Sequence, residues 1–274
     1  MKILNGLELA GFIKERQAKA VRSLIQAHRV QPKLAIVQTN DSPVINTYVR
    51  LKKRYGADIL VEVDIHFVKE SDVPSLLKEL NQDASIHGII IQLPLSDTSQ
   101  TETIVELVSP NKDVDALGSQ AKFEPATPLA IMWLLSGYNV ELNGKHILLV
   151  GRGKLVGRPL EKILKESGQD VEMIGRDSNL AEKVKQADII ITATGNPAVI
   201  HADMIKKGAV VVDAGVASES GKTVGDLAPD VYEREDLTIT PTKGGVGPLT
   251  VCALFENTIS AARQAADSKP KDQS

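Results

Sequence analysis

Tyr48 and Lys52 stand four residues apart in Tyr48-Val49-Arg50-Leu51-Lys52, so a phenol and an amine share one face if the segment from Ile45 to Tyr55 is helical. Two such groups can act on one bound substrate, although a solvated surface helix carries the same spacing. Another polar residue ends an apolar run. Gly88-Ile89-Ile90-Ile91 stops at Gln92-Leu93-Pro94-Leu95, which puts Gln92 at the carboxyl end of what reads as a central parallel strand, where open α/β sheets place ligands. Asn111-Lys112-Asp113-Val114-Asp115 then offers two carboxylates in a turn, each able to shape the turn, cap a helix or meet a ligand.

A different chemistry is written further on. The apolar stretch from His146 to Val150 runs into Gly151-Arg152-Gly153-Lys154-Leu155-Val156-Gly157-Arg158-Pro159 and then an amphipathic segment through Glu166. Strand, glycine turn and helix in that order can hold a dinucleotide. Gly151 and Gly153 permit a tight turn that brings backbone amides to a pyrophosphate, and Gly157 allows close packing of helix on strand. The spacing is one residue longer than the common Gly-x-Gly-x-x-Gly. At the end of the next strand stands Gly175-Arg176-Asp177-Ser178. Arg176, with Arg152 as a second cation, suits the 2′-phosphate of NADP, because guanidinium forks match phosphate oxygens. Asp177 suits the ribose hydroxyls of NAD. NADP is taken as the cofactor and NAD stays open.

These residues need a scaffold. Short β-branched runs bounded by turn residues recur at 34–40, 63–68, 87–93, 146–151, 170–175, 188–194, 209–215 and 237–241, with helical patterns between them. Such alternation predicts an α/β fold of βαβ units with parallel sheets. A length of 274 residues predicts two domains. The aperiodic stretch at 116–127 marks the junction, and Thr127 before Pro128 starts a helix. The expected division is an N-terminal parallel-sheet catalytic domain over 1–120 plus 248–266 and a Rossmann-type dinucleotide domain over 121–247. In this arrangement the final helix, with its apolar stripe of Leu249, Cys252, Phe255, Ile259 and Ala262, packs back on the first domain. The polar residues 267–274 read as a flexible tail.

Composition narrows the partners. A net charge of -3 gives no electrostatic footprint for nucleic acid or an anionic membrane. One cysteine, Cys252, permits no internal disulfide and no cysteine zinc site. No apolar run approaches the ~20 residues that span a bilayer, and the first residues lack a signal-peptide core. A cytoplasmic protein is expected.

Short-chain dehydrogenases also use a Tyr/Lys pair at this spacing, but well after an N-terminal nucleotide turn; here the pair comes about a hundred residues before it, so that reading fails on order. Five motifs in one order decide the matter. Tyr-x-x-x-Lys, Gln-Leu-Pro-Leu, Lys-Asp-Val-Asp, Gly-Arg-x-x-x-Val-Gly-x-Pro and Gly-Gly-Val-Gly-Pro-x-Thr together resemble the methylenetetrahydrofolate dehydrogenase/cyclohydrolase family. The resemblance runs from Ile3-Leu4-Asn5-Gly6 to about Gln264, and the stretches Ala202 to Asp213 and Val224-Gly225-Asp226 share it.

The resemblance implies oxidation of 5,10-methylenetetrahydrofolate with NADP, followed by hydrolysis of the methenyl product to 10-formyltetrahydrofolate, without a metal. It implies that Lys52 is the acid/base of hydrolysis, working with a lowered pKa, and that Gln92 holds its amine. Tyr48 would face the folate, Asp115 would take the pterin nitrogens, and Asp113 would support the turn. Leu93 and the loop Gly244, Gly245, Val246 and Gly247 would line the substrate. Gly151, Arg152, Gly153, Gly157, Arg176, Thr194, Gly195 and Val216 would bind the cofactor. Arg50, Lys53 and Arg54 could attract the acidic folate tail or simply form a solvated basic face. A homodimer through the nucleotide domain is also implied.

The chain departs from the family pattern at named places. Ile45 stands where the family has Ser, Ala116 where it has Gly, Ala126 where it has Cys, Gly153 where it has Ser, and Thr242-Lys243 where it has Val-Pro. The segment between Asp115 and Pro125 is also shorter. The rival two-domain reading, a shikimate or amino-acid dehydrogenase, does not predict Gln92, Asp115 and the Gly-Gly-Val-Gly-Pro loop together. A catalytically silent folate- or nucleotide-binding relative would have no need of Lys52.

Overall fold

The computed structural model describes residues 1–175, 179–219 and 222–268. In chain order its elements are β1 (Lys2–Ile3), α1 (Gly6–His28), β2 (Lys33–Gln38), α2 (Pro43–Asp58), β3 (Glu62–Phe67), α3 (Val73–Gln82), β4 (Gly88–Ile91) and α4 (Thr101–Val105). There follow α5 (Ala126–Gly137), β5 (Ile147–Val150), α6 (Gly157–Glu166), β6 (Val171–Ile174), α7 (Leu180–Gln186), β7 (Ile189–Thr192), β8 (Val210–Asp213), β9 (Ala217–Glu219), β10 (Lys222–Val224), β11 (Thr238–Ile239) and α8 (Val246–Asp267). Every stretch expected to be a strand contains one. β1 and the antiparallel β9–β10 pair are additional.

The chain divides into two compact units, one of Met1–Gly11 with Thr127–Thr250, the other of Phe12–Ala126 with the chain from Val251 on. This differs from the expected segment 1–120, because β1 pairs in parallel with β11 and carries the first residues into the unit of Thr127–Thr250. The other expected breaks, at 120/121 and 247/248, fall at Ala126 and Thr250. Of the expected tail, 269–274 lies outside the described residues. No helix among the described residues is long and apolar enough to cross a membrane.

The unit that carries Lys52 is built on a parallel three-stranded sheet in the order β3-β2-β4. On one face Ala35, Val37, Ile89 and Ile91 pack with Val73, Leu77 and Leu80 of α3. α2 is started by Ser42, whose Oγ accepts the Ile45 amide at 3.2 Å, with Pro43 in the first turn. It packs closely on β3 and α8: a Cβ on Gly56 would lie 2.5 Å from Val63 and 3.2 Å from Phe255. The expected stripe of α8, from Leu249 to Ala262, is buried.

The second unit is a six-stranded sheet in the order β1-β11-β8-β7-β5-β6, parallel throughout. Burial on both faces explains why its strands read as unbroken aliphatic runs rather than alternating ones. β5 has β6 on one side and β7 on the other, so the strand order reverses at β5. That reversal opens the crevice in which doubly wound sheets hold dinucleotides.

Candidate active site

The buried face of α2 consists of Ile45, Val49, Lys52 and Gly56, at helical spacings of four, three and four. A lysine therefore occupies a core position. Its Nζ donates to Gln92 Oε1 at 2.7 Å. Gln92 follows β4, and its amide is fixed from both ends: Nε2 donates to the Leu93 carbonyl at 3.0 Å and the backbone amide donates to Val37 at 2.8 Å. With its nitrogen engaged by Leu93, the side chain must turn its oxygen toward Lys52. Tyr48 lies one turn before Lys52, half-buried, and its hydroxyl bonds to no described residue. Arg50, Lys53 and Arg54 are exposed.

β4 is an edge strand of its sheet and not the central one expected, because the central place belongs to β2. Its free side is taken by the aspartate segment. Ile89 donates to the Lys112 carbonyl at 2.7 Å and bridges Asp113 in parallel. This pairing carries Asp115 to the end of β4, within electrostatic reach of Lys52. Burial lowers the Lys52 pKa and raises that of Asp115, and each charge opposes the other's shift. Asp113 has a different task. It accepts the Gly118 and Leu117 amides at 2.8 and 3.4 Å, and burial pushes its pKa up to about 6 against those donors.

Sequence reasoning assigned nothing to Asn257. From α8 its Nδ2 donates to the carbonyls of Val114 at 2.8 Å and Glu124 at 2.9 Å, so one buried amide ties both ends of the short loop that begins at Asp115. The only available signal was an asparagine midway between Phe255 and Ile259 in the apolar stripe of the last helix.

In the six-stranded unit Gly151 leaves β5 with φ +124°, and a Cβ there would lie 2.5 Å from the Ala193 carbonyl. A Cβ on Gly157 would meet the Gly151 carbonyl at 1.9 Å, which accounts for the glycine at the start of α6. Gly153 is different: it is exposed, with nothing within 4 Å of its Cβ position. Arg152 lies along Gly175, its Cδ 3.6 Å from the Cβ position, and donates to Met173 at 3.4 Å, which sets a guanidinium at the end of β6. A Cβ on Gly195 would lie 3.5 Å from the Val216 carbonyl, so the loops that follow β7 and β8 meet here, with Thr194 beside them. The crevice, the open turn and the helix start fit a dinucleotide. Arg176, and Asp177 with it, lies outside the described residues.

The Gly-Gly loop serves the protein's own packing first. Leu7 donates to the Gly244 carbonyl at 2.9 Å, and a Cβ on Gly6 would lie 1.8 Å from the Gly245 carbonyl. Val246 is buried and opens α8, while Gly247 has open space around it. Asp213 and Asp226 also went unassigned, although both lie in stretches that carried the resemblance.

Residues 4–115 match the model for the tetrahydrofolate dehydrogenase/cyclohydrolase catalytic domain, and residues 125–266 match that for its NAD(P)-binding domain. The chain belongs to the tetrahydrofolate dehydrogenase/cyclohydrolase family. It is 36% identical to the bifunctional protein FolD of Bacillus subtilis, covering 96% of this chain and 98% of that one. The FolD methylenetetrahydrofolate dehydrogenase/cyclohydrolase structure from Campylobacter jejuni superposes with a TM-score of 0.89 at 33% identity, covering 96% and 99%. The Trypanosoma brucei enzyme, solved with NADP cofactor and an inhibitor, gives 0.89 at 28% identity, covering 96% and 97%.

Two departures from the family pattern have a physical reading. Ala116 has φ +56°, the left-handed region in which a glycine costs nothing and an alanine about 1 kcal/mol. Ile45 is buried on the face that carries Lys52, so the family's hydroxyl is replaced there by hydrocarbon.

Proposed function

We propose that this chain oxidises 5,10-methylenetetrahydrofolate to the 5,10-methenyl form with NADP and hydrolyses that product to 10-formyltetrahydrofolate. The observation that carries the reading is Lys52, buried in an apolar stripe and held by the neutral Gln92 with Asp115 nearby. NADP, when bound, accepts the hydride from the methylene carbon, so the first step asks the protein for alignment and the exclusion of water. Tyr48 and the Gln92-Leu93 corner support the folate, and Asp115 offers acceptors to the pterin nitrogens. The second step needs a base. Water adds to the methenyl carbon while neutral Lys52 takes its proton, and Lys52 returns a proton to the ring nitrogen as the carbon–nitrogen bond breaks. One proton is released overall.

For the cofactor, the Gly151 turn, Gly153 and Gly157 would receive the pyrophosphate, and Arg152 at the end of β6 favours the 2′-phosphate of NADP. Thr194, Gly195 and Val216 would meet the other half. The loop Gly244 to Gly247 would lie against substrate and nicotinamide. A cytoplasmic homodimer joined through the dinucleotide unit completes the reading, by likeness to the family.

Purified protein given 5,10-methylenetetrahydrofolate should reduce NADP faster than NAD and form methenyl absorbance that then decays. Reduction of neither nucleotide overturns the reading. A methenyl product that persists unhydrolysed reduces the enzyme to a dehydrogenase.

A further inference from the structure

Asp213 and Asp226 have no role in the chemistry above, yet each accepts at least three hydrogen bonds. Asp226 is completely buried. It accepts the Thr192 hydroxyl, the Thr194 amide at 2.6 Å and the Asn196 amide at 3.1 Å. Thr192 is the last residue of β7, so all three donors belong to the strand end and loop at the order reversal. Asp213, the last residue of β8, accepts the amides of Gly215, Asp226 and Leu227 at 2.9, 3.1 and 3.2 Å.

The two carboxylates are fitted around each other's glycines. A Cβ on Gly215 would lie 2.1 Å from Asp226 Oδ1, and one on Gly225 would lie 2.0 Å from Asp213 Oδ2. The loop after β7 and the turn after β8 are thereby locked to one another. A carboxylate suits this task because it only accepts, on two oxygens, and can gather several N–H groups at once. A neutral amide would point a donor at donors. Burying such a charge is tolerable only while every donor stays in place, so each amide is held to its position.

In a doubly wound sheet the glycine turn and the second strand serve the adenosine half of a dinucleotide, and the strands beyond the reversal serve the other half. Here those strands are β7 and β8. We infer that Asp226, backed by Asp213, is a positioning residue for the nicotinamide half of the cofactor, holding Thr194, Gly195 and Val216 in the shape that receives it. The inference rests on the proposed NADP-dependent reading.

The test uses Asp226→Asn, which removes the charge, and Gly215→Ala, which keeps the charge but pushes the carboxylate aside. Thr192→Val, which deletes only one hydroxyl donor, serves if the first two do not fold. Calorimetric binding of NADP is measured beside the KM of each substrate. Asp226→Asn and Gly215→Ala should weaken NADP binding by about tenfold or more while the folate KM stays within about twofold, and Thr192→Val should shift it less in the same direction. A folded variant with a lower melting temperature and unchanged NADP affinity overturns the inference, as does an equal rise in both KM values. If the first two fail to fold, unchanged NADP affinity in Thr192→Val overturns it. Because binding is read without turnover, failure of the proposed reaction in the wild type is seen separately.

Discussion

In the three-stranded unit Lys52 is buried with one hydrogen-bond partner among the described residues, the neutral Gln92, whereas in the six-stranded unit Asp226 is buried with three donors closed around it. An ammonium has three N–H groups to place, so Lys52 keeps capacity that a substrate or water can use. Its lowered pKa is the energetic expression of that deficit. Asp226 has its donors already and nothing left to give a reacting molecule. Buried charge thus serves two ends in one chain: a group left short of partners is ready for proton chemistry, and a saturated one is scaffold. Asp113 lies between them, with two amide donors yet a pKa pushed up to about 6.

The comparison breaks first at Lys52. Lys52→Met should slow methenyl hydrolysis by about a thousandfold or more and leave hydride transfer within about tenfold, seen as methenyl absorbance that builds and stays. Equal loss of both steps would make Lys52 scaffold too. Asp113 sharpens the middle case. Its raised pKa means that the folded state keeps a proton the unfolded chain has lost, so its contribution to stability falls as pH rises from its unfolded value, 3.8, to about 6. The change is about 3 kcal/mol. Urea unfolding across that window should show the slope in the wild type and lose it in Asp113→Asn; identical slopes would refute the assignment. The smallest effect concerns backbone alone. Ala116→Gly should stabilise the protein by about 0.5–1 kcal/mol, a rise of a few degrees in Tm, by relieving a left-handed alanine. A lower Tm would show that the turn does not strain it.

Much of this is legible in the sequence. Parallel strands buried on both faces announce themselves as aliphatic runs, and the Gly151 turn declares itself through positions where a side chain would collide. Lys52 and Gln92 were legible as chemistry because their types and order are specific. Their contact was not, since it depends on β2 carrying the two segments side by side. The placing of β4 at an edge was hidden for the same reason: a strand covered by a single bridge to Asp113 looks as apolar as a central one. β1 was missed because two residues carry no periodicity and are held by a strand more than two hundred residues away. Asp213, Asp226 and Asn257 act mostly through backbone atoms, and backbone partners leave no mark in the sequence. Arg176, read as a cofactor cation, lies outside the described residues, so Arg152 alone carries the structural argument for NADP.

The central claim is that Lys52 works because its buried amine meets a neutral partner. The pH profile of methenyl hydrolysis in Gln92→Glu, set beside that of the wild type, tests it most directly. The wild-type rate should climb with pH to a plateau below the ordinary lysine pKa, and a carboxylate at position 92 should stabilise the ammonium and move the climb to higher pH. Two coincident profiles would contradict the account.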